Sequence, residues 1–172
     1  FSIEYDIFPS LTSSHRSPSS PCSSTLAGGH GELFAAIANR DTAAVRAILS
    51  TNDNININAL RSSSGTPLIA AVQNNLPDCV EALLSRGAKT DMKWKQRGNS
   101  TACMIAAETN AVKCLKLLIN AGADLNAQNA AGSTALMVAL EENNAQAFSL
   151  LVESSSANKN IKNSNGDTAL LM

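Results

Sequence analysis

The chain has 172 residues, enough for one sizeable core or for a short array of repeats. Thirteen Lys and Arg residues against fourteen Asp and Glu residues leave a formal net charge of -1, so overall charge gives no reason to bind nucleic acid or an acidic membrane surface. Apolar residues make up 44% of the chain but aromatic residues only 3%, which predicts a helical core of Ala, Leu, Ile and Val.

The sequence shows no segment that would insert into a membrane or direct secretion. No apolar run approaches the roughly 18 residues typical of a spanning helix, and no basic region followed by an apolar block opens the chain. We therefore expect a soluble protein of the cytoplasm, with the nucleus as an alternative. The chain opens at Phe1 without Met and stops within a repeated motif at Met172, so we also expect it to be a fragment of a longer protein.

The N-terminal segment differs in composition from the rest of the chain. Residues 1–8 alternate apolar and polar, as a short strand or linear peptide would, and residues 9–29 are dominated by Ser, Thr, Pro and Gly. Such a composition buries too little apolar area to offset the entropy of ordering the chain. Residues 1–29 are therefore predicted to form a disordered Ser/Pro-rich segment.

A repeat with a period near 34 residues follows from residue 30 to residue 172. Thr66, Thr101, Thr134 and Thr168 each open a similar motif, with spacings of 35, 33 and 34 residues. The apolar runs "VRAIL", "VEALL", "LKLLI" and "FSLLV" recur in the same phase. The pattern predicts four full units and a truncated fifth, at about residues 30–59, 60–93, 94–127, 128–161 and 162–172.

Each unit is predicted to contain two short antiparallel helices. The opening Thr is a favourable N-cap, and Pro67 suits the first helical position because its missing N–H costs nothing there. Asn75, Asn110 and Asn143 recur where a tight turn requires a left-handed backbone. Apolar residues spaced i, i+3 and i+4 then form the buried face of a second helix. Hairpin-like connectors rich in Asn, Ser and Gly join one unit to the next.

The motifs "GTPLIAAVQNN", "CVEALLSRGA" and "LLINAGADLNAQNAAGST" resemble ankyrin repeats. The resemblance covers about residues 31–172 and implies an all-α solenoid of helix-turn-helix units. This chain departs from the family where the His that usually follows T-P-L is replaced by Ile69, Met104, Met137 and Leu171, so the polar network made by that His should be absent. The truncated fifth unit should leave Leu170 and Leu171 without a covering helix.

No pattern of residues predicts catalysis, a cofactor or a bound metal. Cys22, Cys79, Cys103 and Cys114 lack C-x-x-C spacing and His partners, which favours free thiols in a reducing compartment. Neither phosphate-binding glycine loops nor the H-E-x-x-H motif occur. Glu141 and Glu142 are adjacent on a helix and so do not face each other, which makes a poor acid/base pair. We expect a protein that is not an enzyme.

The ankyrin resemblance implies a monomeric module that binds a protein partner through connector tips and a groove face. Counting from the Thr of each unit, the family positions that line the groove fall on Gln73, Asn74, Glu108, Thr109, Glu141 and Glu142. A solvated surface without a partner remains the alternative for each of these residues. A second functional hypothesis makes the array the recognition arm of a larger enzyme, a ubiquitin-ligase adaptor or a channel.

The connector "DMKWKQRGNST" is two residues longer than its counterpart before Thr134. It contains the only Trp, Trp94, among Lys93, Lys95 and Arg97, and Trp and Arg are enriched at protein interfaces. The composition predicts an exposed Trp that anchors a partner, with a Trp packed against the third unit as the alternative. Nucleic-acid binding would need a wider basic surface, and Asn99 is predicted to lead into a helix in a cytosolic chain rather than to carry a glycan.

Overall fold

The computed structural model describes residues 29–172, and these residues form four helix pairs in chain order. The predicted N-terminal segment, including Cys22, lies outside the described residues except for Gly29. Within the described part of the chain there are eight α-helices and no extended strand: α1 His30–Ala38, α2 Thr42–Thr51, α3 Pro67–Gln73, α4 Pro77–Ser85, α5 Ala102–Glu108, α6 Val112–Asn120, α7 Ala135–Glu141 and α8 Ala145–Glu153.

The eight helices stack as two rows. The first helices of the units, α1, α3, α5 and α7, pack one against the next, and so do the second helices α2, α4, α6 and α8. The core lies between the rows and is built mainly from Ala, Leu, Ile and Val, as the composition predicts. The all-α solenoid expected from the sequence is confirmed.

The turn inside each pair follows the Asn pattern. Asn75, Asn110 and Asn143 have φ values of 52°, 51° and 55°, a left-handed conformation that Asn tolerates better than most residues. In the first unit Arg40 adopts the same conformation, with φ 59°. The sequence gives no sign of this, because Arg is not a residue that favours left-handed turns.

The opening Thr caps its helix in only one of the three complete repeats that carry it. Thr66 Oγ1 accepts a hydrogen bond from the Ile69 amide at 3.2 Å, whereas Thr101 and Thr134 make no such bond. The Thr101 hydroxyl oxygen is buried without a partner in the described chain. Met104 occupies the repeat position of the family's His, and its buried thioether supplies no strong hydrogen-bonding partner there.

The last described unit contains a connector and a short turn. Ala169 is buried, but Leu170 and Leu171 are each 74% exposed, in agreement with the prediction that no helix covers them.

Candidate functional site

The ends of the first helices form one surface, which we call the groove face. Ala38, Gln73, Glu108 and Glu141 end α1, α3, α5 and α7 and are equivalent positions of successive units. Of the six residues predicted to line the groove, Gln73, Thr109, Glu141 and Glu142 are exposed, and Asn74 and Glu108 are half-buried. The structure thus brings together the residues that sequence register assigned to one face. Their role in partner binding stays a prediction.

Local hydrogen bonds hold three of these side chains in place. Asn74 Nδ2 donates to the Ala70 carbonyl at 3.0 Å, and Thr109 Oγ1 donates to the Ile105 carbonyl at 2.8 Å. Glu141 Oε1 accepts from Ser133 Oγ at 3.2 Å. Because these bonds use backbone and side-chain groups that already belong to the array, the groove face keeps its shape without a partner.

The long connector carries its two extra residues after Trp94. In the preceding connector Arg61 pairs with Gly65, four residues later, whereas Trp94 pairs with Ser100, six residues later. The residues between them form a single 3-10 turn at Lys95–Arg97, followed by Gly98 with φ 60°. The prediction of an enlarged connector is therefore confirmed. Because the extra residues follow Trp94, Trp94 lies at the base of the connector, and the 3-10 turn lies beyond it at the tip.

The prediction of an exposed Trp94 is wrong. The side chain is only 5% exposed and belongs to the core, and its Nε1 donates to the Ser62 carbonyl of the preceding connector at 3.0 Å. Trp94 occupies the position that Asn129 has in the next connector, at the start of the turn. The ring packs inward, and its hydrogen bond joins this connector to the preceding one. It is not available to anchor a partner.

The cations around Trp94 have different environments. Lys93 and Lys95 are exposed, and Lys93 Nζ donates to the Gln128 carbonyl of the following connector at 3.0 Å. The Arg97 guanidinium lies 5.8 Å from the centre of the Trp94 ring and forms an ion pair with Glu108, with Nε 3.3 Å from Oε2. Arg97 therefore joins the connector tip to the groove face.

Hydrogen bonds also connect the tips to one another. The Ala130 amide donates to the Gly98 carbonyl at 2.7 Å, and the Ser164 amide donates to the Ala131 carbonyl at 3.0 Å. Farther from the tips, the Lys89 amide donates to Asn58 Oδ1 at 2.8 Å. The two bonds between tips fix neighbouring tips side by side, and the ion pair of Arg97 with Glu108 connects one tip to the groove face.

The described cysteines are buried and free, as predicted. Burial raises the pKa of the Cys103 thiol to about 12 and that of Cys114 to about 11, and burial followed by the Asp78 charge raises the pKa of Cys79. Cys114 Sγ donates to Asn75 Oδ1 at 3.7 Å. Protonated thiols without solvent access are weak nucleophiles.

Sequence reasoning missed several surface clefts, among them a cavity of about 210 Å³ between α1 and α3. Phe34, Ala35 and Ala38 line one side and Ala70 and Gln73 the other. The signal was the small residue Ala38 in the first unit, at a position that holds Gln73, Glu108 and Glu141 in the later units.

His, Cys, Asp and Glu side chains of residues 29–172 form no group of three that could hold a metal ion. Within the same residues, no helix has the length and apolar character needed to cross a membrane.

Paired helices in two stacked rows, joined by hairpin connectors, define a helical-repeat solenoid. A family model described as ankyrin repeats (3 copies) matches residues 22–94 and 103–172. The chain belongs to the ankyrin repeat family, whose arrays generally serve as protein-interaction modules. A comparison with curated proteins found no match.

Proposed function

We propose that this chain is a non-catalytic module that binds a protein partner through the groove face and the connector tips. The observation that supports this most directly is the row of exposed polar residues on successive units, including Gln73, Thr109 and Glu142, held on a rigid surface. Preformed surfaces bind with a smaller entropic cost than mobile ones.

The charges on this surface indicate how a partner would be oriented. Exposed Lys93 and Lys95 lie in the connector between the second and third units, while exposed Glu141 and Glu142 lie on the fourth. A partner with acidic and basic groups spaced to match these two regions would be guided into one register, since charge complementarity contributes to specificity and association rate.

The burial of the thiols and the pairing of Arg97 support the absence of catalysis and of nucleic-acid binding. The thiols are buried and their pKa values are raised, so they are poor candidates for nucleophiles. Arg97 is neutralised by Glu108, which leaves a basic area too small for the phosphate contacts that nucleic-acid affinity requires. Free thiols also support a reducing compartment, so we propose a monomeric array in the cytoplasm or nucleus.

Site-specific photocrosslinking tests the proposal. A photoreactive residue at Thr109, on the groove face, should yield a crosslinked partner protein in cells, identified by mass spectrometry. The matched control is Ser149, which is exposed on α8 in the second row of helices. A reproducible adduct at Ser149 with none at Thr109 would place the binding surface on the opposite row and refute the proposal.

A further inference from the structure

The cavity between α1 and α3 lies beside Ala38, the smallest of the four residues at this helix-end position. At the repeat position of Ala38, the later units carry Gln73, Glu108 and Glu141. The neighbouring groove, between α3 and α5, has Gln73 at the position that Ala38 has in the groove between α1 and α3. The ion pair of Glu108 with Arg97 lies at the edge of this neighbouring groove. The small side chain of Ala38 therefore leaves space that larger side chains take up elsewhere.

The walls of this cavity are apolar and one edge carries a cation. Phe34, Ala35 and Ala70 supply apolar surface, and the Arg61 guanidinium lies 4.7 Å from the centre of the Phe34 ring. A cation over an aromatic face is held by the ring quadrupole. The Phe34 ring thus favours a position of the Arg61 guanidinium at the mouth of the cavity.

Arg61 differs from three of the other arginines of the array in lacking a carboxylate partner. Arg46 pairs with Asp78, Arg86 with Asp53 and Arg97 with Glu108, but among residues 29–172 no ion pair involves Arg61. An arginine side chain presents several N–H donors in a planar arrangement that matches a carboxylate. Its donors remain available for an acidic group brought by a partner.

The opposite rim carries the side-chain amides of Gln73 and Asn74. Asn74 Nδ2 is occupied by the Ala70 carbonyl, while its amide oxygen makes no hydrogen bond within the described residues. That oxygen can accept from a partner's backbone N–H, and the exposed Gln73 amide beside it can both donate and accept. The cavity therefore combines an apolar centre, one cation and amide groups.

We propose that this cavity binds a single aliphatic side chain of a partner protein, with an Asp or Glu next to it in the partner's sequence paired to Arg61. Pockets for whole small molecules enclose about 300–1,000 Å³, and the volume here, about 210 Å³, suits one side chain better. This inference rests on the proposed function, because it assigns one element of the partner to one place on the groove face.

Selection from a random-heptapeptide display library on the full chain tests the pocket. Enriched peptides should share an aliphatic residue beside Asp or Glu. Calorimetric titration of the strongest synthetic peptide should show affinity falling about tenfold in Ala38→Leu, which fills the cavity. The matched control Ala47→Leu adds the same atoms at an exposed position of α2 and should leave affinity unchanged.

Charge reversal tests the role of Arg61. Arg61→Glu should weaken the acidic peptide about tenfold, and replacing the peptide's acidic residue with Lys should restore binding to that variant. Any of three results would overturn the proposed binding pocket. They are full peptide affinity in Ala38→Leu, unchanged affinity in Arg61→Glu, and failure of the selection to enrich any peptide. Crosslinking at Thr109 would then still support the groove face as a whole, so the two proposals fail separately.

Discussion

Replacing Trp94 with Ala should destabilise the array. The side chain is 5% exposed and its indole N–H donates to the Ser62 carbonyl of the neighbouring connector. Loss of a buried Trp costs about 3–5 kcal/mol in protein cores. Because Trp94 lies in a connector close to the surface, where the chain can relax, we expect the lower end of this range, about 3 kcal/mol. That is a large share of the roughly 5–15 kcal/mol that stabilises an ordinary domain.

Urea denaturation followed by circular dichroism measures this change. Since each repeat contacts only its neighbours, weakening the junction between the second and third units should also make unfolding less cooperative. We expect a lower midpoint and a broader transition for Trp94→Ala. Lys95→Ala removes an exposed side chain from the same turn and should change the unfolding free energy by no more than about 0.5 kcal/mol.

Equal unfolding curves for Trp94→Ala and the unmodified chain would refute this reasoning. Such a result would mean that the ring contributes no net packing energy, despite its burial. Trp94→Phe separates packing from hydrogen bonding, because it keeps an aromatic ring and removes the N–H. We expect Phe to recover most of the lost stability, since a single hydrogen bond contributes only about 0.5–1.5 kcal/mol.

Three further predictions concern the core. Burial raises the pKa of the Cys103 thiol from its ordinary value of 9.0 to about 12 in the folded chain. Above pH 9.0, ionisation of the unfolded thiol therefore lowers the free energy of unfolding by up to about 1.4 kcal/mol per pH unit. Urea titrations at several pH values should show a shallower decline of this free energy with pH in Cys103→Ala. Leu118→Ala should cost roughly 2–5 kcal/mol by the same assay, because this side chain is fully buried on α6. Asn110 Oδ1 is buried without a hydrogen-bond partner among residues 29–172, whereas the equivalent Asn75 oxygen accepts from Cys114. Ala147 occupies the position of Cys114 one unit later, so Ala147→Cys should supply a donor to Asn110 and raise the urea midpoint.

Each of these three expectations has a clear contrary result. Identical pH dependence in the chain with and without Cys103 would mean that another group causes the alkaline loss. Unaltered unfolding of Leu118→Ala would undermine the assigned buried face of α6. A lower midpoint for Ala147→Cys would show that the added sulfur is overpacked and that its hydrogen bond does not compensate.

The repeat pattern was sufficient to predict the fold because its signals are local and concordant. Asn75, Asn110 and Asn143 mark turns through their tolerance of a left-handed backbone, and the apolar spacing marks the buried faces. Register from the opening Thr also placed Gln73 and Thr109 on one face. These inferences need no knowledge of which side chains touch across the array.

The position of Trp94 could not be predicted in the same way. Sequence length shows that the connector has two extra residues, but not which residues pair at its base. If the additional residues precede Trp94 it lies at the tip, and if they follow, it lies at the base facing Ser62. Only the pairing of Trp94 with Ser100 decides between these arrangements. Enrichment of Trp at interfaces favoured the tip, and the burial of most Trp side chains favoured the base.

Burial of the chain's single Trp also gives the array an internal optical reporter. Indole emission depends on the polarity around the ring, and every photon emitted by Trp comes from the junction of the second and third units. Intrinsic fluorescence will therefore follow the opening of that one junction, while helix content averages over all units. A difference between the two signals during unfolding would reveal whether the array separates at its middle before its helices melt.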